Sequence, residues 1–97
     1  MAPGRIPVDV PPPETGSITS VSASVSAVDL LAAGARRGAV IANDGAALMY
    51  VALGEDASTS NWSYRLDPYD SLETAFAGRI SAAWSTATGA ARVTELT

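Results

Sequence analysis

Three residue types are missing from this 97-residue chain: histidine, cysteine and lysine. Without histidine or cysteine, the sequence excludes Ser–His and Cys–His nucleophile pairs and zinc sites built from the usual ligands. Without lysine, it excludes Schiff-base chemistry and the lysine of a phosphate-binding loop. The lack of cysteine also excludes a disulfide, so cysteine usage does not indicate a redox compartment. These absences favour binding over catalysis.

Positive charge and long apolar runs are also scarce. Six arginines stand against ten acidic residues, which gives a net charge of −4. Nucleic-acid binding through counterion release needs a basic stripe, so we predict no nucleic-acid partner. No apolar run approaches the ~20 residues of a membrane span, and the first residues contain no run of signal-peptide length. We therefore expect a soluble protein with no recognisable leader, no membrane partner and no cofactor.

Large apolar side chains are too few for more than one core. Of the 46 residues that make up the 47% hydrophobic fraction, 19 are alanine. A chain of this size buries only about two-thirds of its unfolded surface, which favours stabilisation by a partner. We expect one domain that forms a homo-oligomer, with a trimer as the first candidate, because its alanine-rich and serine-rich faces allow close subunit approach.

Proline is concentrated at the start of the chain. Five of the six prolines lie within the first 13 residues, so we predict an extended arm over residues 1–16 before a domain at 17–97. One interpretation of the arm is a disordered tail. The other is an arm that lies on a neighbouring subunit. Its candidate interface residues are Ile6, Val8, Val10, Pro11, Pro12 and Pro13.

Hydrophobic residues alternate with polar ones along most of the remaining sequence. In residues 17–28, Val21, Ala23, Val25 and Ala27 face one side and serines face the other, which predicts one strand. Asp29 and Gly34 bracket a predicted single helical turn. Further strands are predicted at 39–43, 48–53, 63–66, 71–76, 79–85 and 91–96, with turns at 43–45, 67–70 and 86–89. The sequence therefore predicts an all-β fold, a small antiparallel β-sandwich (jelly-roll or Ig-like) of about seven short strands.

Acidic residues offer the remaining route to catalysis or metal binding. A glycosidase needs two carboxylates, and Asp67 with Asp70, or Glu55 with Asp56, are close in sequence. Both pairs lie in predicted turns, where acids commonly form turns and stay solvated. The loop acids, with Asp44, also suit calcium, but no spaced calcium-loop motif is present. We predict neither a catalytic site nor a metal site.

Four aromatic residues are candidates for ligand or protein binding: Trp62, Tyr64, Tyr69 and Trp84. Stacking on sugar rings is one interpretation, and packing is the other. Trp84 shares a face with Ile80, so we predict that it is in the core. Trp62 and Tyr69 lie in predicted loops, and we interpret them as exposed anchors of a protein interface.

Two stretches of the chain carry a family resemblance. The first runs through Val25–Leu31, Arg37-Gly38, Ile41, Asn43-Asp44, Leu48–Val51, Leu53-Gly54 and Ala57–Ser60, and the second, more specific one comprises Phe76–Trp84 and Ala87–Leu96. Together they resemble a family of short virion structural proteins of tailed bacteriophages and prophages, of the decoration, head-fibre or tail accessory type. The chain departs from the family at Asp67–Glu73, where relatives carry a Gly-rich turn and an aromatic–Glu segment. The resemblance implies a particle component without catalytic activity.

We therefore predict a non-catalytic virion structural protein, and within that class a capsid decoration, or cement, protein that binds the capsid lattice. Its expected partners are other copies of itself and the major capsid protein or another virion protein. Its expected location is the virion, after synthesis in the host bacterial cytoplasm. The alternative is a tail or head-fibre component that contacts the host surface or a glycan. An acid-pair hydrolase is a more remote alternative.

Overall fold

The computed structural model describes residues 14–97, and the six predicted interface residues of the arm (Ile6, Val8, Val10, Pro11, Pro12 and Pro13) lie outside them. The described chain is all-β, as the sequence predicted. Its eight strands are β1 (Gly16–Ser22), β2 (Val28–Leu31), β3 (Gly38–Asp44), β4 (Met49–Leu53), β5 (Tyr64–Leu66), β6 (Ser71–Thr74), β7 (Ile80–Trp84) and β8 (Ala90–Leu96).

The strands form two four-stranded antiparallel sheets, with the orders β1-β8-β3-β6 and β2-β7-β4-β5. The chain follows the path of one long hairpin whose tip is the β4–β5 connection. Its two arms pair from the open end to the tip as β1·β8, β2·β7, β3·β6 and β4·β5. The pairs β3·β8 and β4·β7 complete the two sheets. A long hairpin rolled in this way is the jelly-roll arrangement, so the strand order decides between the two predicted sandwich types.

The core lies between the two sheets. Alternate residues of the central strands point inward, which is why Ile41, Val51 and Trp84 are fully buried. The position of Trp84 in the core confirms the prediction from its shared face with Ile80. The other buried members of this core are Leu30, Ala47, Met49, Leu66, Ile80, Ala82, Ala91 and Val93.

The β4–β5 connection covers the outer face of the second sheet. Ala57 of this connection packs on Ala52 and Ala83, which point away from the main core. The Ser81 hydroxyl accepts a hydrogen bond from the Ala57 N–H at 2.9 Å and donates to the Glu55 carbonyl at 2.6 Å. This cover explains why all five residues of β7 are buried and why residues 48–53 are apolar on both faces.

The prediction of a single strand over residues 17–28 was wrong. β1 ends at Ser22, and the chain then crosses from one sheet to the other. The crossing is held by backbone bonds from Ala23 N–H to the Gly89 carbonyl and from Trp84 N–H to the Ser24 carbonyl. The crossing leaves Val25, which was predicted to be buried, 61% exposed.

The predicted helical turn after Asp29 is also absent, because Val28–Leu31 is the strand β2. Asp29 does not cap a helix. Its carboxylate accepts a hydrogen bond from Arg79 Nε at 2.6 Å. A single helical turn is too short to be stable alone, and pairing with β7 supplies the ladder that decides the conformation. The missed β2 raises the number of strands to eight.

A buried asparagine links the two sheets. Asn43, in β3, is 1% exposed, and its side-chain N–H group lies 2.8, 3.3 and 3.1 Å from the carbonyl oxygens of Ala47, Leu66 and Asp67. Its side-chain oxygen accepts a hydrogen bond from the Trp84 indole at 3.4 Å. One amide thus satisfies carbonyls of the β3–β4 turn and the end of β5 together with the indole of β7.

We expect Asn43→Ala to lower the free energy of unfolding by about 3 kcal/mol, because it leaves buried polar groups of three segments without partners. Urea unfolding followed by tryptophan fluorescence measures the loss. Asn61→Ala is the matched control, since Asn61 is exposed, and it should cost under ~0.5 kcal/mol. Similar losses for the two variants would contradict a special role for the buried amide.

A buried arginine closes one end of the sandwich. The Arg36 side chain is 0% exposed, and its guanidinium donates to the carbonyls of Ala32, Phe76 and Gly78 at 2.9, 2.9 and 2.5 Å. The Glu95 carboxylate lies 3.9 Å away. Among residues 14–97, Arg36 Nε has no hydrogen-bond partner. Arg36 therefore ties the β2–β3 and β6–β7 connections together.

Arg36→Met should lower the free energy of unfolding by about 2–3 kcal/mol, because three carbonyls lose their donor while most of the side-chain volume is kept. The adjacent Arg37→Met is the control: Arg37 is exposed and should cost under ~0.5 kcal/mol. Thermal unfolding of both variants makes the comparison. An Arg36→Met protein as stable as the parent would show that the carbonyls need no buried cation.

Candidate functional site

Three exposed aromatic side chains lie along β5, the edge strand of the second sheet. Trp62, Tyr64 and Tyr69 are 45%, 43% and 72% exposed. Trp62 precedes β5, Tyr64 begins it and Tyr69 follows it. We call these three residues the aromatic edge. The two predicted interface anchors within the described chain, Trp62 and Tyr69, are thus both exposed, but they lie at opposite ends of the strand.

Trp62 is held in place by its neighbours. Its ring centroid lies 6.0 Å from that of Tyr50 on β4, with the ring planes tilted by 51°. The loop before it closes through the paired backbone bonds of Ser58 and Asn61, and the Ser63 hydroxyl accepts from the Leu53 N–H at 3.1 Å. An aromatic side chain held by such contacts loses little entropy on binding. Tyr50 had no role in the sequence prediction, because its contact with Trp62 depends on how the β4–β5 connection folds.

Tyr69 occupies a strained position at the tip of a turn. The Asp70 N–H donates to the Asp67 carbonyl at 3.0 Å, which closes the predicted turn with Pro68 at its second position. Tyr69, the third residue, has a φ of 61°, in the left-handed region that favours glycine. The chain has a large aromatic residue at this position. Strain of this kind points to a role for the side chain itself.

Three of the four acidic residues of the candidate carboxylate pairs, Glu55, Asp56 and Asp70, have side-chain contacts with neighbouring segments. Asp56 pairs with Arg79, which also binds Asp29 and so joins the β4–β5 connection to β2 and β7. The hydrogen bonds that the Arg79 guanidinium donates to the carboxylates of Asp56 and then Asp29 raise its pKa above its ordinary value. The Asn61 amide approaches Glu55 at 3.4 Å, and the Asp70 carboxylate accepts from the Ser71 N–H. Within residues 14–97, no three acidic side chains gather as a metal-ligand group.

The described end of the arm is fixed to the domain. The Thr97 N–H donates to the Thr15 carbonyl at 2.9 Å, and the two threonine hydroxyls are 2.5 Å apart. β1 then begins at Gly16, one residue before the predicted domain boundary. Leu96, beside this junction, lines an open depression of about 380 Å³ between β3 and β6, whose charged residues are Arg37 and Glu73. The arm therefore leaves the sandwich from a defined point near this depression.

Three other large apolar side chains are exposed, none of them among the predicted interface residues. Ile18 is 70% exposed on β1, Val25 lies in the crossing after β1, and Phe76 lies in the β6–β7 connection, where its ring covers Gly78. Ile18 is in phase with Ser20 and Ser22, so the alternation places its side chain on the serine face of β1, the face predicted to be solvated.

No protein-family model, curated protein or solved structure matches this chain. The resemblance to virion structural proteins therefore stays a prediction. Residues 14–97 contain no helix of the length and apolarity needed to cross a membrane.

The strain at Tyr69 predicts a stabilising substitution. Tyr69→Gly should raise the free energy of unfolding by about 1 kcal/mol, because glycine adopts a positive φ without the steric cost. Tyr69→Ala removes the ring but keeps that cost, so it should give no gain. Urea unfolding of the three proteins separates the two effects, and equal stabilities for the glycine and alanine variants would contradict the strain.

Proposed function

We propose that this protein is a non-catalytic structural component of a bacteriophage particle, and specifically a decoration protein that binds the capsid lattice. The observation that carries the proposal is the exposed aromatic edge: Trp62, Tyr64 and Tyr69 are presented on a rigid sandwich. Exposed aromatic anchors of this kind are typical of protein interfaces. The jelly-roll arrangement adds support by analogy alone, because viral capsid proteins use it among many other proteins.

The arm supplies a second contact with the particle. Its root at Thr15 is bonded to Thr97, so the segment before it starts from a fixed point. Proline stiffness lowers the entropy that such a segment loses on binding, and the alternation of Ile6, Val8 and Val10 with Pro7 and Asp9 predicts that the three aliphatic side chains share one side of the segment. In this proposal the aromatic edge and the arm contact different places on the lattice.

Two contacts per copy act together. Once one has bound, the second binds within the same complex at a high effective concentration, so that weak contacts add to firm attachment. A protein that bridges neighbouring capsid subunits in this way strengthens the lattice. The protein would be made in the bacterial cytoplasm and carried on the virion.

Glycan binding by a tail or head-fibre protein is the second candidate. Trp62, whose ring packs at a tilt against Tyr50, provides with the nearby Asn61 amide an aromatic surface with a polar neighbour, which suits a sugar ring. A glycan array with the purified protein tests this candidate. Glycan binding that is lost in Trp62→Ala would favour it over decoration.

Particle binding tests the leading proposal. We expect a chain lacking residues 2–13 to fold normally but to occupy fewer sites on particles that lack the protein, with lower resistance to salt. A second variant replaces Ile6, Val8 and Val10 by serine and keeps the length and the prolines of the arm. It should lose occupancy to a similar extent. Occupancy equal to that of the full chain in both variants would show that the arm is only a tail.

The number of copies on purified virions separates the structural roles. Mass spectrometry that finds hundreds of copies per particle supports decoration, and a handful supports a tail or collar component. Absence from the virion would overturn both. Trp62→Ala and Tyr69→Ala should each reduce occupancy several-fold, as expected for interface anchors.

A further inference from the structure

The two sheets have four edge strands, and three of them are protected against pairing with another chain. β2 has four residues, a charged Asp29 and a register shift against β7. β5 has three residues and carries Arg65, and β6 has four and carries Glu73. Short strands, charges and bulges are the devices by which proteins prevent edge-to-edge association.

The fourth edge strand, β1, has none of these devices. It runs for seven residues, Gly16–Ser22, with no charge and no proline, and its register with β8 is unbroken. Six of the seven residues are exposed. Among the described residues, β8 alone pairs with β1, so the outer edge of β1 keeps a row of unpaired backbone groups.

We infer that β1 is a self-association edge, on which β1 of a second copy pairs antiparallel to form one continuous eight-stranded sheet. Such pairing satisfies the unpaired backbone groups of both strands. The inference does not rest on the proposed virion role. It goes beyond that role by naming the strand, the partner and the symmetry.

The sequence favours β1 of a second copy over the arm as the strand that pairs with the free edge of β1. A ladder needs backbone N–H groups, and the residues before Glu14 include five prolines, which have none. A second β1 offers seven consecutive residues without proline. The strand also carries no charge, so two copies meet there without repulsion although the chain has a net charge of −4.

A two-fold axis at Thr19 gives the longest overlap. Thr19 then lies opposite Thr19 of the second copy, and Gly16 lies opposite Ser22, so all seven residues are paired. Ile18 shares the outer face of the sheet with its partner Thr94. In this register the two Ile18 side chains are diagonal neighbours, within reach of each other. Their contact would cover part of the Ile18 side chain, which is 70% exposed in the single chain.

The first test is the concentration dependence of association, measured by sedimentation velocity on the full chain. We expect a monomer–dimer equilibrium that Ile18→Lys weakens about tenfold or more, because it places like charges at the joined edge. Val25→Lys is the matched control, since Val25 is also an exposed aliphatic residue, and it should leave the equilibrium unchanged. A parent that is monomeric at all concentrations, a trimer, or equal effects of the two lysines would overturn the inference.

The second test fixes the geometry with single cysteines, since the chain has none of its own. Residues opposite each other in antiparallel strands are about 4.5–5.5 Å apart at Cα, which suits a disulfide. Thr19→Cys should give a disulfide-linked dimer under mild oxidation, while Ser60→Cys in the exposed loop should not. Cross-linking at Ile18→Cys or Ser20→Cys instead would show that the two β1 strands pair in a different register, with β1 still the self-association edge. Cross-linking at none of these three positions would overturn the inference that β1 pairs with β1 of a second copy.

The arm is tested separately as an occupant of the same edge. A chain lacking residues 2–13 should dimerise as the full chain does, because the arm does not supply the pairing strand. Loss of the dimer in this variant would show that the arm occupies the edge of β1 and would overturn pairing with a second β1. Failure of particle binding with an intact dimer would instead count against the proposed function alone.

Discussion

The fold depends on one buried amide, the side chain of Asn43. Every strand pair of a rolled hairpin joins segments distant in sequence, except at the tip, so the roll must be fixed by contacts between its layers. Apolar contacts are non-directional and tolerate small shifts, whereas a buried amide must meet its hydrogen-bond partners in one geometry. Asn43 meets carbonyls at the β3–β4 turn and at the end of β5, and the indole of Trp84. It thereby fixes the register of one sheet relative to the other.

Alternating side chains made β3, β7 and β8 predictable, and a continuous apolar run made β4 predictable. β3, β4, β7 and β8 fall close to the predicted segments, and the connections at 45–48 and 85–89 lie at or beside the turns predicted at 43–45 and 86–89. β2 was missed because its local pattern resembled a capped turn and only pairing with β7 makes it a strand. In the serine-rich stretch a strand was predicted beyond its real end, because the alternation continues through Val25 after the chain has left the sheet.

The exposed anchors were predictable only in part. Trp62 and Tyr69 lie among polar and turn-forming residues, and that placement was enough to expect them at the surface. The tilted contact of Trp62 with Tyr50 and the positive φ of Tyr69 arise from the folded loop and turn. The burial of Arg36 could not be predicted either, because nothing in the sequence distinguishes it from its exposed neighbour Arg37. Its partners are carbonyls contributed by connections far apart in the chain.

The β4–β5 connection has a consequence for how this protein can vary. Ala57 anchors its first half on the sheet, and the bonds of Ser63 to β4 anchor its end, so the exposed tip at residues 59–60 is held between two fixed points. Lengthening a loop whose ends are already fixed costs little, about 0.6 kcal/mol for each doubling of its length. Inserted peptides at this tip would be displayed beside Trp62 without disturbing the strand pairs. The loop is therefore a natural place for sequence diversity and for engineered epitopes.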